Sequence, residues 1–209
     1  MRLRPATDAD APAMLGIYAP FVRSTAISFE LDPPAPAEFA RRLRENREHA
    51  AWLVCADDSP DTTSAGRPPI AGYAYGSRFR PRPAYRWSIE VTVYIHPAHH
   101  RRGIGLALYT SLLACLRVQG FQTATAGIAL PNPASVRLHE RLGFTSVGVF
   151  HAAGFKFAAW HDVLWMELAL GDRPASPRET LTTAQAERTP EWSRAIAAGQ
   201  ALLKPAPPR

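Results

Sequence analysis

The stretch that most constrains this chain is "RWSIEVTVYIHPAHHRRGIGLALYTSLLACLRVQG", residues 86–120. Its β-branched and aromatic first third predicts a central strand, stopped by Pro97. A helix follows, apolar at Leu106, Leu108, Tyr109, Leu112, Leu113 and Leu116 and closed by Gly120. Between them stand Gly103 and Gly105. Without side chains there, the main chain can curl until several N–H groups converge, reinforced by the helix dipole, and so seat an anion. The plainer alternative is that the glycines only make the turn.

Two frequent occupants of such a turn fail on spacing. A triphosphate loop requires G-x-x-x-x-G-K-[ST], and no lysine follows either glycine. A dinucleotide fingerprint requires G-x-G-x-x-G, but Gly103-Ile104-Gly105-Leu106-Ala107-Leu108 ends in leucine.

The flanking chain reads as short alternating elements. "MRLRPA" is a strand, and Thr7 with Asp10 opens a helix through "APAMLGIYAPFV" that Pro20 should bend or end. A second helix runs through "AEFARRLREN". "AAWLVCA" and "IAGYAYGSRF" are strands in a plausible hairpin, joined by the mobile-looking "DDSPDTTSAGRPP". "FQTATAGIAL", "FTSVGVF" and "HDVLWMELAL" are further strands, and "PASVRLHERLG" is a short helix. The expected fold is mixed α/β, with helices interrupting a sheet whose first half is antiparallel. From Gly171 onward Pro, Ala and Arg dominate, with periodicity surviving only from Trp192 to Leu203. The expectation is one domain over residues 1–170 and an appended, flexible tail over 171–209.

A chain of 209 residues, 46% hydrophobic and 20% charged, suits one soluble globular domain. It has no run of the roughly 18 apolar residues that a membrane span needs. "MRLRPATDAD" turns polar at once, with no apolar segment of a signal peptide, so the expected location is the cytoplasm. Cys55 and Cys115 lie in apolar segments and read as buried thiols. The net charge of +6 comes from scattered arginines rather than a basic tract, which argues against a nucleic-acid partner.

The turn resembles the R/Q-x-x-G-x-G/A loop of the GNAT superfamily of acyl-CoA-dependent N-acyltransferases. "RWSIEVTVYI", "QGFQTATAGIALPNPASVRLHERLGF" and "HAAGFKFAAWHDVLWMEL" together look like the phosphinothricin N-acetyltransferase subfamily, over roughly residues 1–170. The resemblance implies a mixed, mostly antiparallel sheet splayed at an acetyl-CoA site, and a homodimer. It implies CoA contacts from Val93, Tyr94 and Ile95 and from Arg101, Arg102, Gly103, Ile104, Gly105 and Leu106. His100 departs from the motif, which has Arg or Gln at that position. Asn132 is expected at the pantetheine, although a helix N-cap fits its spacing equally well. The acceptor site would include Phe29, Arg82 and Thr92.

Acetyl transfer from a thioester to an amine needs a neutral amine, a polarised carbonyl and an acid for the leaving thiolate. Alternation places Glu90, Thr92 and Tyr94 on one strand face. Glu90 is the expected general base, the position the resemblance assigns to it; otherwise it faces solvent or pairs with Arg86. Main-chain N–H groups of Val93 to Ile95, freed where strands splay, would hold the oxyanion. His139 stands where many relatives carry a tyrosine assigned as the acid, and it is either that group or a packed core histidine. Lys156 and Trp160 read more simply as a surface lysine and a core or interface tryptophan. His96, His99 and His100 lack a carboxylate partner, and thioester aminolysis needs no metal. No positioned Cys or Ser nucleophile stands out, so direct transfer in a ternary complex is expected, to a small amino acid or an analogue such as phosphinothricin or methionine sulfone or sulfoximine. A peptide or protein amine, a non-catalytic acyl-CoA sensor and a basic nucleic-acid-binding module are the rival readings.

Overall fold

A computed structural model describes residues 1–57 and 69–203, so most of the loop expected at 57–69 lies outside the described residues. The described residues form β1 (Arg2–Pro5), β2 (Trp52–Ala56), β3 (Ile70–Arg78), β4 (Ser88–Ile95), β5 (Thr123–Ala129), β6 (Thr145–Lys156) and β7 (Ala159–Ala169). They make one sheet in the order β1-β2-β3-β4-β5-β7-β6. The first four strands are joined antiparallel, as expected, and β4–β5 is the parallel pair among the described strands.

The period-two pattern of β2 explains how the sheet is covered. Leu53 and Cys55 face a core shared with Leu108, Leu112 and Leu116 of α3 (Ile104–Gln119). Trp52, Val54 and Ala56 face the other way, onto Met14, Ile17 and Val22 of α1 (Ala11–Ser24) and Phe39 and Leu43 of α2 (Pro36–His49). Buried on both sides, the strand is necessarily a continuous apolar run.

α1 continues through Pro20 to Ser24, so Pro20 does not end the helix. Pro20 and Gly16, whose carbonyl loses its N–H partner, both lie on the exposed face, where water satisfies the orphan. Asp10 closes the start of the helix by accepting from the Thr7 N–H at 2.7 Å and from both terminal nitrogens of Arg4 at 2.7 Å. The Arg4 interaction and the Thr7 bonds hold its carboxyl below the ordinary carboxylate value against the opposing effect of burial.

Residues 171–203 are not the flexible tail expected. They carry α5 (Thr183–Ala186) and α6 (Pro190–Gln200), and α6 packs along α3. Trp192 and Ala195 are buried in the α3-side core. Ser111 donates to the Ile196 carbonyl at 2.8 Å and accepts from the Gly199 N–H at 3.1 Å. Gly199 lies so close that an added Cβ would overlap the Ala107 carbonyl oxygen. At the other end, the buried Gln119 amide donates to the carbonyls of His49 and Leu181, both at 3.1 Å, and its oxygen accepts from Ala51 N–H at 2.9 Å. Composition concealed this because Pro and Arg crowd the linkers while few apolar residues, Trp192 and Ala195 foremost, make the contact.

Candidate active site

The parallel pairing of β4 with β5 covers only Ser88–Glu90 against Thr123–Thr125. Beyond Glu90 the strands part. β4 continues on β3 alone and β5 on β7 alone, leaving a wedge between them. The His96 N–H donates to Ala71 of β3's leading edge at 2.9 Å. Strand alternation therefore turns the N–H groups of Val93 and Ile95 towards the wedge and that of Tyr94 towards β3. The Tyr94 ring is packed with Tyr18, Phe21 and Tyr73 under α1, so its side chain serves the core.

At the far end of β4, Gly103 is the N-cap of α3 with φ +79°, and Arg101 also has a positive φ of 60°. An added Cβ on Gly103 would meet open space, so conformation rather than room is what calls for glycine there. Gly105 keeps the turn clear of α4 (Pro133–Arg141), where an added Cβ would approach the Leu138 side chain to 3.3 Å. The first-turn N–H groups from Ile104 to Leu106 have no intrahelical acceptors, and with Arg101 and Arg102 exposed beside them they form an anion seat. His100 explains its departure from the motif in part: its Nε2–H donates to the Ile95 carbonyl at 3.0 Å, tying the turn to the strand end. Arg102 donates to His99 Nδ1 at 2.8 Å, and His96 Nδ1 accepts from Ala98 N–H at 3.2 Å. The three histidines are thus occupied in shaping the loop.

The wedge opens into a cavity of about 260 Å³ lined by Glu90, Thr92, Tyr75, Tyr109, Asn132 and His139, among others. Glu90 is half-buried, and burial raises its carboxyl above the ordinary value while the charge of Arg80 opposes that rise. It makes no salt bridge to Arg86, which pairs instead with Glu179 at 2.6 Å. Asn132 is the N-cap of α4, its side-chain oxygen accepting from Ser135 N–H at 3.2 Å, which leaves its amide N–H₂ for the cavity.

His139 is 2% exposed, between the rings of Tyr109 and Phe144 at 5.1 and 5.0 Å. Nδ1 donates to the Ser135 carbonyl at 2.8 Å, which fixes the tautomer and leaves Nε2 as a buried lone pair without a partner among the described residues. Burial lowers its pKa, outweighing the Ser135 bond. A neutral imidazole of this tautomer offers Nε2 only as a hydrogen-bond acceptor and has no proton there to donate. Tyr109, missed in the sequence, is the opposite case: burial raises its phenol, which keeps its proton. Tyr75, also missed, has its phenol pushed up to about 12 by burial, partly offset by the Thr92 hydroxyl. The alternation of "IAGYAYGS" against β4, Tyr75 opposite Thr92, was the available signal.

Two expected acceptor residues stand elsewhere. Phe29 lies over Gly154 and beside His161, and Ile27 lines the cavity in its stead. Arg82 caps an exposed short turn, Pro83–Tyr85, in a groove with Arg78, Arg86 and Glu179. The arginine whose charge reaches Glu90 is Arg80, stacked 4.5 Å from the Phe79 ring. Lys156, expected at the surface, is buried, whereas Trp160 is 66% exposed. Among the described residues no helix is long and apolar enough to cross a membrane.

Residues 3–165 match the acetyltransferase (GNAT) domain model. A phosphinothricin N-acetyltransferase of Streptomyces viridochromogenes is 38% identical over 181 residues, 85% of this chain and 94% of the relative. An L-methionine sulfoximine/L-methionine sulfone acetyltransferase of Salmonella typhimurium is 32% identical, covering 84% of this chain and 98% of its own. The crystal structure of a phosphinothricin acetyltransferase from Sinorhizobium meliloti in complex with AcCoA superposes with a TM-score of 0.77 at 34% identity, over 85% of this chain and 92% of that one. The strand–glycine turn–helix, the splayed sheet and these matches agree, and the chain belongs to the GNAT family of acetyltransferases.

Proposed function

We propose that this enzyme transfers acetyl from acetyl-CoA to the α-amine of a small amino acid or analogue of the phosphinothricin or methionine sulfoximine kind, in a ternary complex with Glu90 as general base. The observation that carries the reading is the wedge itself. It places a half-buried, unpaired carboxylate beside strand N–H groups that have no sheet partner. Glu90 takes the proton of the attacking ammonium. The N–H groups of Val93 and Ile95 face the developing oxyanion. The turn from Arg101 to Leu106 holds the pyrophosphate, and the Asn132 amide the pantetheine. His139 stays neutral and, with the protonated Tyr109 phenol, shapes the cavity, and the leaving thiolate takes the proton that the amine nitrogen of the tetrahedral intermediate gives up as the amide forms. Thr92 and Ile27 bound the acceptor. The protein works in the cytoplasm as a homodimer. What supports a dimer is an exposed apolar row on β6 and its hairpin: Val147, Phe150, Phe155, Phe157 and Trp160.

Initial-velocity measurements test direct transfer. Varying acetyl-CoA against methionine sulfone is expected to give intersecting lines, with no acetylated protein by intact mass. Parallel lines with an acetyl-enzyme would overturn the ternary complex. The turn has its own test. Gly103→Ala forces alanine into a left-handed conformation at about 1–2 kcal/mol. Acetyl-CoA affinity by calorimetry is expected to fall by up to about tenfold, with the acceptor KM unchanged. Unaltered acetyl-CoA affinity would remove the turn from the site.

A further inference from the structure

Lys156 is the last residue of β6, and it is 4% exposed although no carboxylate among the described residues bonds it. Its Nζ donates to the Val22 carbonyl at 2.6 Å and to the Ser28 carbonyl at 2.7 Å. The first is a last-turn carbonyl of α1 that has no intrahelical partner. The second belongs to the segment connecting α1 to α2. Two further contacts converge on that segment. The Ser28 hydroxyl bonds the Tyr18 phenol at 2.7 Å, both buried. The Phe29 ring covers Gly154, where an added Cβ would come within 2.5 Å of it. One residue from Ser28 and two from Phe29 sits Ile27, which lines the cavity of Glu90.

We propose that Lys156 is a positioning residue for the acceptor: it clamps residues 25–30 to the β6–β7 hairpin and so fixes Ile27 as the wall of the cavity facing Glu90. This rests on the amino-acid acceptor reading above. The choice of lysine follows from geometry. Two carbonyls from different elements are bridged by one side chain, and an ammonium on a long stem offers three donors to do it. Gly154 complements the clamp, since only a residue without a side chain lets Phe29 lie flat on the hairpin.

Lys156→Met keeps the stem and removes the donors, and Gly154→Ala dislodges Phe29 while leaving the ammonium. Each would be made in the full chain and followed by hydrogen exchange and by steady-state kinetics. Exchange at residues 25–30 is expected to quicken by about tenfold in both, as expected for losing a charge-assisted hydrogen bond or its equivalent in packing. The acceptor KM is expected to rise by about tenfold, with acetyl-CoA affinity and kcat within about twofold of the parent. A residue that merely supported the fold would instead weaken acetyl-CoA binding and acceptor binding alike. Unchanged exchange at 25–30 would overturn the clamp. Faster exchange with an unchanged acceptor KM would overturn its role in positioning. If the parent acetylated no free amino acid, the function reading would fall, while the exchange result would still decide the clamp.

Discussion

Replacing Glu90 with Gln is expected to lower kcat/KM for the amine by about 10²- to 10⁴-fold, the ordinary contribution of a positioned general base. Acetyl-CoA affinity should stay as it is, because the carboxylate faces the acceptor side of the wedge. The pH profile is the sharper readout. Burial raises the Glu90 carboxyl, and a base works only when ionised. The rate of the parent enzyme should therefore fall as pH drops, with an acid limb lying above the normal carboxylate range. The Gln variant should lose that limb. A variant with unchanged kcat/KM, or one that keeps the same acid limb, would assign the proton to another group.

The largest effect on stability is expected at Gly199, far from the chemistry. A methyl group there overlaps the carbonyl of Ala107 and the Ser111 hydroxyl, and a backbone oxygen in a helix cannot rotate out of the way. Overpacking commonly costs about 1–3 kcal/mol, and Gly199→Ala is expected at the upper end, about 3 kcal/mol. At about 2–4 °C per kcal/mol for a chain of this size, Tm should fall by roughly 6–12 °C. A thermal melt decides it. An unchanged Tm would mean that α6 does not rest on α3 and that the segment after Gly171 is the loose tail its composition suggests.

How much could be read beforehand differs by kind of signal. The unit from β4 through Gly103 to α3 was legible because each part has a local cause: β-branching, a helix stripe, and glycine where φ is positive. Glu90 and Thr92 were legible because strand alternation is strict, and the same rule places Tyr94 on their face although packing under α1 then claims it for the core. Phe29 and Arg82 were not, because their positions depend on how long connections fold back. The chain after Arg78 turns Arg82 outward and leaves Arg80 near Glu90, and no periodicity reports that. Lys156 was misread for a related reason: its two acceptors are 134 and 128 residues away in sequence. His139 lines the cavity, but which nitrogen carries the proton depends on the Ser135 carbonyl, visible only in three dimensions. The helix periodicity from Trp192 to Leu203 was visible in the C-terminal segment. Its docking on α3 was not, because one glycine makes it possible and a glycine looks the same in a linker.

The wedge beside Glu90 is expected to acetylate small amino acids. A panel of free amino acids, phosphinothricin, methionine sulfone and sulfoximine, and short peptides, incubated with labelled acetyl-CoA and the full chain, tests it most directly. The expected result is transfer to the α-amine of at least one free amino acid or analogue, with peptides slower or inert, and loss of that transfer in Glu90→Gln. Turnover of peptides alone would contradict it.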